Sequence, residues 1–263
     1  MSRRSPRGLV LVASLALAVA SPSAAAATHS WGGYHWARTA NQFTLKLGDN
    51  VNSTWDTYLG TTSSDWSVSD VLDTTIVAGA ARPRNCRPTT GRVEVCNATY
   101  GNTGWLGVAQ IWVSGLHITQ GTVKVNDTYF NTSTYNSPAW REMVMCQEVG
   151  HTLGLDHQDT IFDNKNLGTC MDYTNDPDGT RYSQSSNEHP NQHDYDELVT
   201  IYTHLDSPTT ALATAPGNGS GVPNGAEAGG WGQLVALTNG GRTALYVLEL
   251  GNGQKVFTFV IRA

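Results

Sequence analysis

The chain has 263 residues, enough for one large domain or two small ones. Charged residues make up 14 % and hydrophobic residues 39 %, and the formal charge is −6. That composition argues against a highly charged disordered chain. No basic stripe is visible, which argues against nucleic acid as a partner.

Arg3, Arg4 and Arg7 precede an apolar run from Leu9 to Ala20, and small residues follow to Ala27. This is the layout of a secretory signal peptide over residues 1–27, too short to serve as a spanning helix. It predicts a mature chain beginning near Thr28, secreted and extracellular, with no membrane contact after signal removal. Residues 41–47 alternate, with Phe43, Leu45 and Leu47 on one face, and predict a half-buried strand. Asp70–Ala80 fits either a helix end or a strand. Glu94–Ala98 reads as a short strand. Val108–Val113 and Ile118–Val125 read as two strands joined near Gly115, rich in Val, Ile, Trp and Thr. Ser137-Pro138 is an N-cap residue followed by proline at the first helical position, and predicts a helix to about Thr152. A second helix is predicted from about His193 to His204. Residues 207–230 read as a linker rich in Pro, Gly, Ser, Ala and Thr. Residues 231–263 hold three apolar runs separated by Asn239-Gly240-Gly241 and Gly251-Asn252-Gly253, a pattern of β-hairpins. So short a β segment is marginal alone and is expected to dock on the main domain or a neighbour.

Export makes the four cysteines candidates for disulfides, for which three pairings exist. Cys86 and Cys96 bracket a short segment centred on Thr90-Gly91. Cys146 and Cys170 flank the segment richest in chemistry. The local pairing, Cys86 with Cys96 and Cys146 with Cys170, is the one adopted. No C-x-x-C spacing supports a cysteine zinc site.

The sharpest signal runs from Gln147 to His157. On a helix, Gln147 and His151 share one face, with Glu148 beside Gln147. Gly154 can adopt positive φ and end the helix, so that the chain turns back and His157 returns toward His151. Two imidazoles and a carboxylate converging in this way suit Zn²⁺, with Glu148 free to deprotonate a water that the metal acidifies.

This segment resembles the zinc-binding helix of the metzincin metalloproteases, the matrixin-like and astacin-like branches included, H-E-x-x-H-x-x-G-x-x-H followed by a Met-turn. Glu148, His151, Gly154 and His157 match. Gly168-Thr169-Cys170-Met171-Asp172-Tyr173 is similar to the Met-turn. The resemblance covers about residues 31–206, and the domain is taken as 28–206. It implies an α+β fold: a twisted, mostly parallel sheet with an antiparallel edge strand, an active-site helix and a C-terminal helix. Val108–Val113 and the edge-like stretch Ile118–Asp127 stand in the family's order, in which the edge strand runs beside the substrate peptide. By the same resemblance His151 and His157 hold the metal, Glu148 is the general base, Met171 supports the site from beneath, and Tyr173 binds zinc or stabilises the oxyanion. The implied activity is a secreted zinc endopeptidase acting on peptide or protein substrates, expected to be a monomer.

One position departs from the pattern. Gln147 stands where the first histidine is expected, as in some secreted bacterial metzincin-like proteins that the chain resembles. Its amide oxygen suits Mg²⁺ or Ca²⁺ better than Zn²⁺. Gln147 is then a weak zinc ligand, or a water or Tyr173 completes a two-histidine site, or metal and catalysis are lost. The last case leaves a peptide- or protein-binding scaffold, which could still recruit extended peptides by strand addition. His189, His193 and His204 are candidates for a substitute ligand. His29 and His35 lie near the expected N-terminus, where a metal role lacks support. Asp163-Asn164 and Asn175–Gly179 offer oxygen ligands for Ca²⁺, although turn chemistry explains both and Ser185 stands where an EF-hand would close with Glu.

Overall fold

In the computed structural model of the chain the described residues are Met1, 29–211 and 230–263. The expected signal segment, apart from Met1, and residues 212–229 of the expected linker lie outside them. Thirteen elements follow one another, leaving aside one 3-10 turn. They are β1 (His35–Trp36), β2 (Phe43–Asn50), α1 (Asp56–Trp66), β3 (Leu72–Ala78), β4 (Val93–Ala98), β5 (Trp105–Ser114) and β6 (His117–Asn126). Then come α2 (Asp127–Phe130), α3 (Pro138–Thr152), α4 (Gln192–Ile201), β7 (Gln233–Thr238), β8 (Thr243–Gly251) and β9 (Gln254–Arg262).

The alternation in β2 buries Phe43, Leu45 and Leu47 on one face. The ambiguous Asp70–Ala80 segment resolves as strand β3, paired parallel to β2. The strands form one sheet in the order β3-β2-β4-β6-β5-β9-β8-β7, with β1 added beside β6. Pairings among β1, β2, β3, β4 and β6 are parallel. Pairings among β5, β6, β7, β8 and β9 are antiparallel. The sheet is therefore mixed, not mostly parallel. The expected edge strand is also corrected. Ile118–Asp127 runs into β6, which lies between β4 and β5. The antiparallel strand β5 is no edge either, because β9 pairs along its whole length. Tight turns at Gly251-Asn252-Gly253 let β8 fold onto β9, and the sheet carries both outward from β5.

Helix α3 begins as the sequence predicts. The Ser137 side chain accepts from the Trp140 amide at 3.3 Å, and Pro138 takes the first turn. α4 is closed at its start by a reciprocal capping box between Asn191 and Asp194. It stops at Ile201, so His204 stands beyond the helix. α1 escaped the sequence reading. Its Gly, Thr and Ser content lowers helix propensity, and Trp55 caps it without a side-chain hydrogen bond. It forms because Leu59 and Trp66 are buried as α1 packs against α3. The Trp66 indole donates to the Cys146 carbonyl at 3.2 Å, and the Trp36 indole donates to the Thr152 carbonyl at 2.9 Å. Both tie α3 into the core. The disulfides Cys86–Cys96 and Cys146–Cys170 are formed.

Glu142 on α3 is a buried acid that the site does not use. Burial, then the charges of Asp65 and Glu188, push its pKa up to about 8. A folded-state pKa above the unfolded value of 4.5 means the fold is most stable relative to this group below that value, and loses stability as pH rises toward 8. Glu142→Gln should therefore raise Tm at pH 8.5 and leave it nearly unchanged at pH 4. After allowance for residual contact with water, the gain is about 2 kcal/mol, or roughly 4–8 °C. Thermal scans at the two pH values check it, and an equal shift at both would refute the assignment.

Candidate metal centre

Three glycines make room for the site. Gly154, at φ +106°, ends α3, and a Cβ there would lie 2.4 Å from the Tyr34 carbonyl oxygen. Gly150 faces Met171, where a Cβ would meet Sδ at 2.5 Å. Gly107 on β5 lies against Glu148, and a Cβ there would stand 2.4 Å from Oε1. A glycine inside a strand is the sequence signal of such a close approach, and it marks Gly107, which the sequence reading did not single out.

The reversal at Gly154 brings the His151 and His157 ring centroids within 4.7 Å. Each imidazole is oriented through Nδ1. His151 Nδ1 lies 2.9 Å from the Leu155 carbonyl, and His157 Nδ1 lies 3.3 Å from the Asp156 carboxylate. Both Nε2 atoms are buried without a partner. Gln147 is fully buried, and its Nε2 donates to the Cys170 carbonyl at 2.6 Å. That bond leaves Oε1 buried and unpaired. The disulfide of Cys146, next to Gln147, holds the accepting loop against the helix. Glu148 is fully buried, and neither oxygen has a hydrogen-bond partner of good geometry. Burial pushes its pKa well above the carboxylate range, while the nearby Ala109 amide acts the other way. Burial, then the neighbouring His157, drives His151 down. Both shifts favour neutral groups in a dry pocket.

Met171 is buried beneath Gly150. Its amide donates to Thr169 Oγ1 at 3.0 Å, and its carbonyl accepts from the Gln158 amide at 2.8 Å. Tyr173 is buried, and its hydroxyl donates to the Arg262 carbonyl on β9 at 2.8 Å. Burial raises its pKa far above the ordinary phenol value. Phe259 of β9 stacks on His151, centroids 4.2 Å apart and planes 8° from parallel. Nothing local in the sequence marks Phe259 or Arg262, because both reach the site through strand pairing with a distant part of the chain.

The other candidate residues lie in different surroundings. His189 pairs with Asp65 at 2.7 Å, His193 stacks on His29, and His204 faces Asp206. The carboxylates of Asp176 and Asp178 accept backbone amides of Arg181, Tyr182 and Thr180, which is turn chemistry. Asp163 and Asn164 border a surface hollow with Phe162, Thr174 and Tyr182. No helix among the described residues is long and apolar enough to cross a membrane.

The donor set fits a divalent transition ion. Three unpaired, buried acceptor atoms, Oε1 of Gln147 and Nε2 of His151 and His157, belong to one helix and its reversal. An unpartnered buried polar atom costs about 1–3 kcal/mol, and coordination offsets that cost for all three. Imidazole nitrogens suit zinc, and their Nδ1 partners are the outer-shell bonds that orient metal-ligating histidines. No family model matches the chain, and no curated protein matches it. Among solved structures it is similar to high choriolytic enzyme 1, a hatching-enzyme zinc-protease from the medaka fish Oryzias latipes. The likeness has a TM-score of 0.37 at 12 % identity and covers 66 % of this chain and 96 % of that one. At that distance the functional reading rests on this chain's own side chains.

Changing an outer-shell partner alone shifts metal affinity about 10–100-fold. Replacing an inner amide oxygen by imidazole should do at least as much. Gln147→His is expected to tighten zinc binding by about tenfold or more in a chelator competition titration. Unchanged affinity would remove Gln147 from the ligand set.

Proposed function

We propose that the chain is a secreted zinc-dependent endopeptidase. The observation that carries this reading is the cluster of unpaired buried acceptors on Gln147, His151 and His157, with the unpaired Glu148 carboxyl beside them. Zinc held there would supply Lewis acidity and an acidified water. Glu148 holds the role of base: it receives a proton on a carboxylate oxygen and returns it to the leaving amine. Burial raises its pKa well above the ordinary carboxylate range. A cation nearby would bring the value partly down again. His151 and His157 hold the metal, and Gln147 is the weaker third contact. Tyr173 is the candidate donor to the oxyanion, once its hydroxyl is released from the Arg262 carbonyl. Two disulfides suit an extracellular setting.

The reading also requires a change of state. β9 pairs antiparallel along β5 from Trp105↔Arg262 to Ser114↔Gln254, and Phe259 covers His151. An extended substrate would take that edge by the same strand addition. The described form is thus closed by the chain's own last strand, and hydrolysis needs β9 displaced. Phe259→Asp in the full chain should raise hydrolysis of a quenched peptide several-fold and speed amide exchange in β5. Faster exchange with no gain in hydrolysis would sink the closure.

The same pairing favours the other reading, a peptide-binding scaffold without catalysis, since β5 already takes an extended strand of the chain itself. Glu148→Gln separates the two. In the enzyme, hydrolysis should fall by about 10²–10⁴-fold while zinc content is kept. A wild-type chain loaded with zinc, freed of β9 closure and still without hydrolysis would favour the scaffold.

A further inference from the structure

A second group of imidazoles lies away from α3's motif. His35 sits on β1 in register with His117 at the start of β6, and Asp206 reaches both from the segment after α4. Asp206 Oδ1 lies 3.1 Å from His117 Nε2 and 3.3 Å from His204 Nε2, and Oδ2 lies 3.6 Å from His35 Nε2. His35 is 3 % exposed, and its Nδ1 bonds the Gly33 carbonyl at 2.9 Å. Its Nε2 is buried without a hydrogen-bond partner and turned toward the group. The His35 ring meets His117 and His204 edge-on, with centroids 5.1 and 5.0 Å away.

We infer that His35, His117 and Asp206, with His204 at the exposed rim, form a second site for a divalent transition ion, zinc by its donor chemistry. Zinc bonds of about 2.0–2.1 Å in a tetrahedron place neighbouring ligand atoms about 3.3 Å apart. Asp206 Oδ1 lies near that spacing from His117 Nε2 and His204 Nε2, and its other oxygen lies 3.6 Å from His35 Nε2. A hydrogen bond accounts for the His117 contact, whereas the 3.6 Å from His35 Nε2 to Asp206 Oδ2 is too long for one. The Gly33 carbonyl fixes the His35 tautomer, so that Nε2 offers a lone pair, the outer-shell arrangement of a metal ligand. Asp206 Oδ2 also accepts from the Arg38 amide at 3.0 Å, which holds the carboxylate in place. The other such group, His29, His193 and Asp194, also buries an unpaired nitrogen on each ring, but its two rings stack 4.8 Å apart, and Asp194 is engaged on both oxygens, Oδ1 by His29 Nε2 at 3.1 Å and Oδ2 by Thr169 and the Asn191 amide.

The group itself supplies three ligands, and His204, 54 % exposed beside Asp206, would turn in as the fourth to make a closed site of structural character. The ion would tie together the N-terminal segment, the β5–β6 turn and the stretch after α4. Trp36, next to His35, bonds the Thr152 carbonyl at the end of α3. The second ion therefore braces the helix that carries the candidate catalytic centre.

The test is zinc per chain, measured by elemental mass spectrometry on the full-length protein after dialysis against buffered zinc. Two zinc ions per chain are expected. His35→Ala, and separately the more exposed His117→Ala, should each remove one, and His157→Ala should remove the other. If the α3 centre binds nothing, the wild type would hold one zinc, lost with His35 or His117 and kept in His157→Ala. Zinc content unchanged in a folded His117→Ala chain, judged by circular dichroism, and in His35→Ala would overturn the second site.

Discussion

The candidate centre depends on a single backbone reversal. Six residues of uninterrupted helix would separate His151 from His157 by about 9 Å along the axis and turn them to different faces. Their rings are instead 4.7 Å apart. Gly154 makes the difference, because its positive φ and the Tyr34 carbonyl 2.4 Å from a would-be Cβ admit no side chain. Everything downstream follows from that stop. The chain leaves the helix, sets the Leu155 carbonyl against His151 and returns with His157 oriented by Asp156.

A second constraint acts from the sheet side. β5 would present unpaired amides and carbonyls directly over a buried polar pocket if nothing lay beside it, and such an edge invites a foreign strand. β9 takes that place, and the sheet's edge on that side is β7. The cover keeps the pocket dry, and the same dryness lifts Glu148 and depresses His151. Phe259 of β9, stacked on His151, is part of the burial behind these shifts.

Local chemistry made α3 legible. Ser137-Pro138 marks its start, Gly154 its end, and the spacing between Gln147 and His157 reports the facing of the side chains. β2 was legible because its alternation matches the pleat. α1 was not, since its composition speaks against a helix and only burial of Leu59 and Trp66 against α3 overrides it. The mixed sheet was not legible because the order of strands is decided by pairings across the chain. The resemblance supplied a mostly parallel sheet, and the last three strands, outside its span, changed the balance. The part played by Phe259 and the gathering of His35, His117 and Asp206 share that cause: each depends on segments remote in sequence, and no spacing rule reaches so far.

Gln147 alters the centre's strength and not its charge. An amide oxygen and a neutral imidazole would both leave a divalent ion at +2, with the unpaired Glu148 carboxyl next to Gln147 in sequence. The amide is the weaker donor, so an ion bound there stays more electron-poor, acidifies a coordinated water further and is held less tightly. Two features of the chain work against that weaker hold. The bond from Gln147 Nε2 to the Cys170 carbonyl fixes the amide and leaves its oxygen unpaired, and the Cys146–Cys170 disulfide keeps that carbonyl in position. A donor already oriented loses less freedom on binding. The residue that most sets this chain apart from the histidine pattern is thus held in place by its neighbours, through the Cys170 carbonyl and the disulfide.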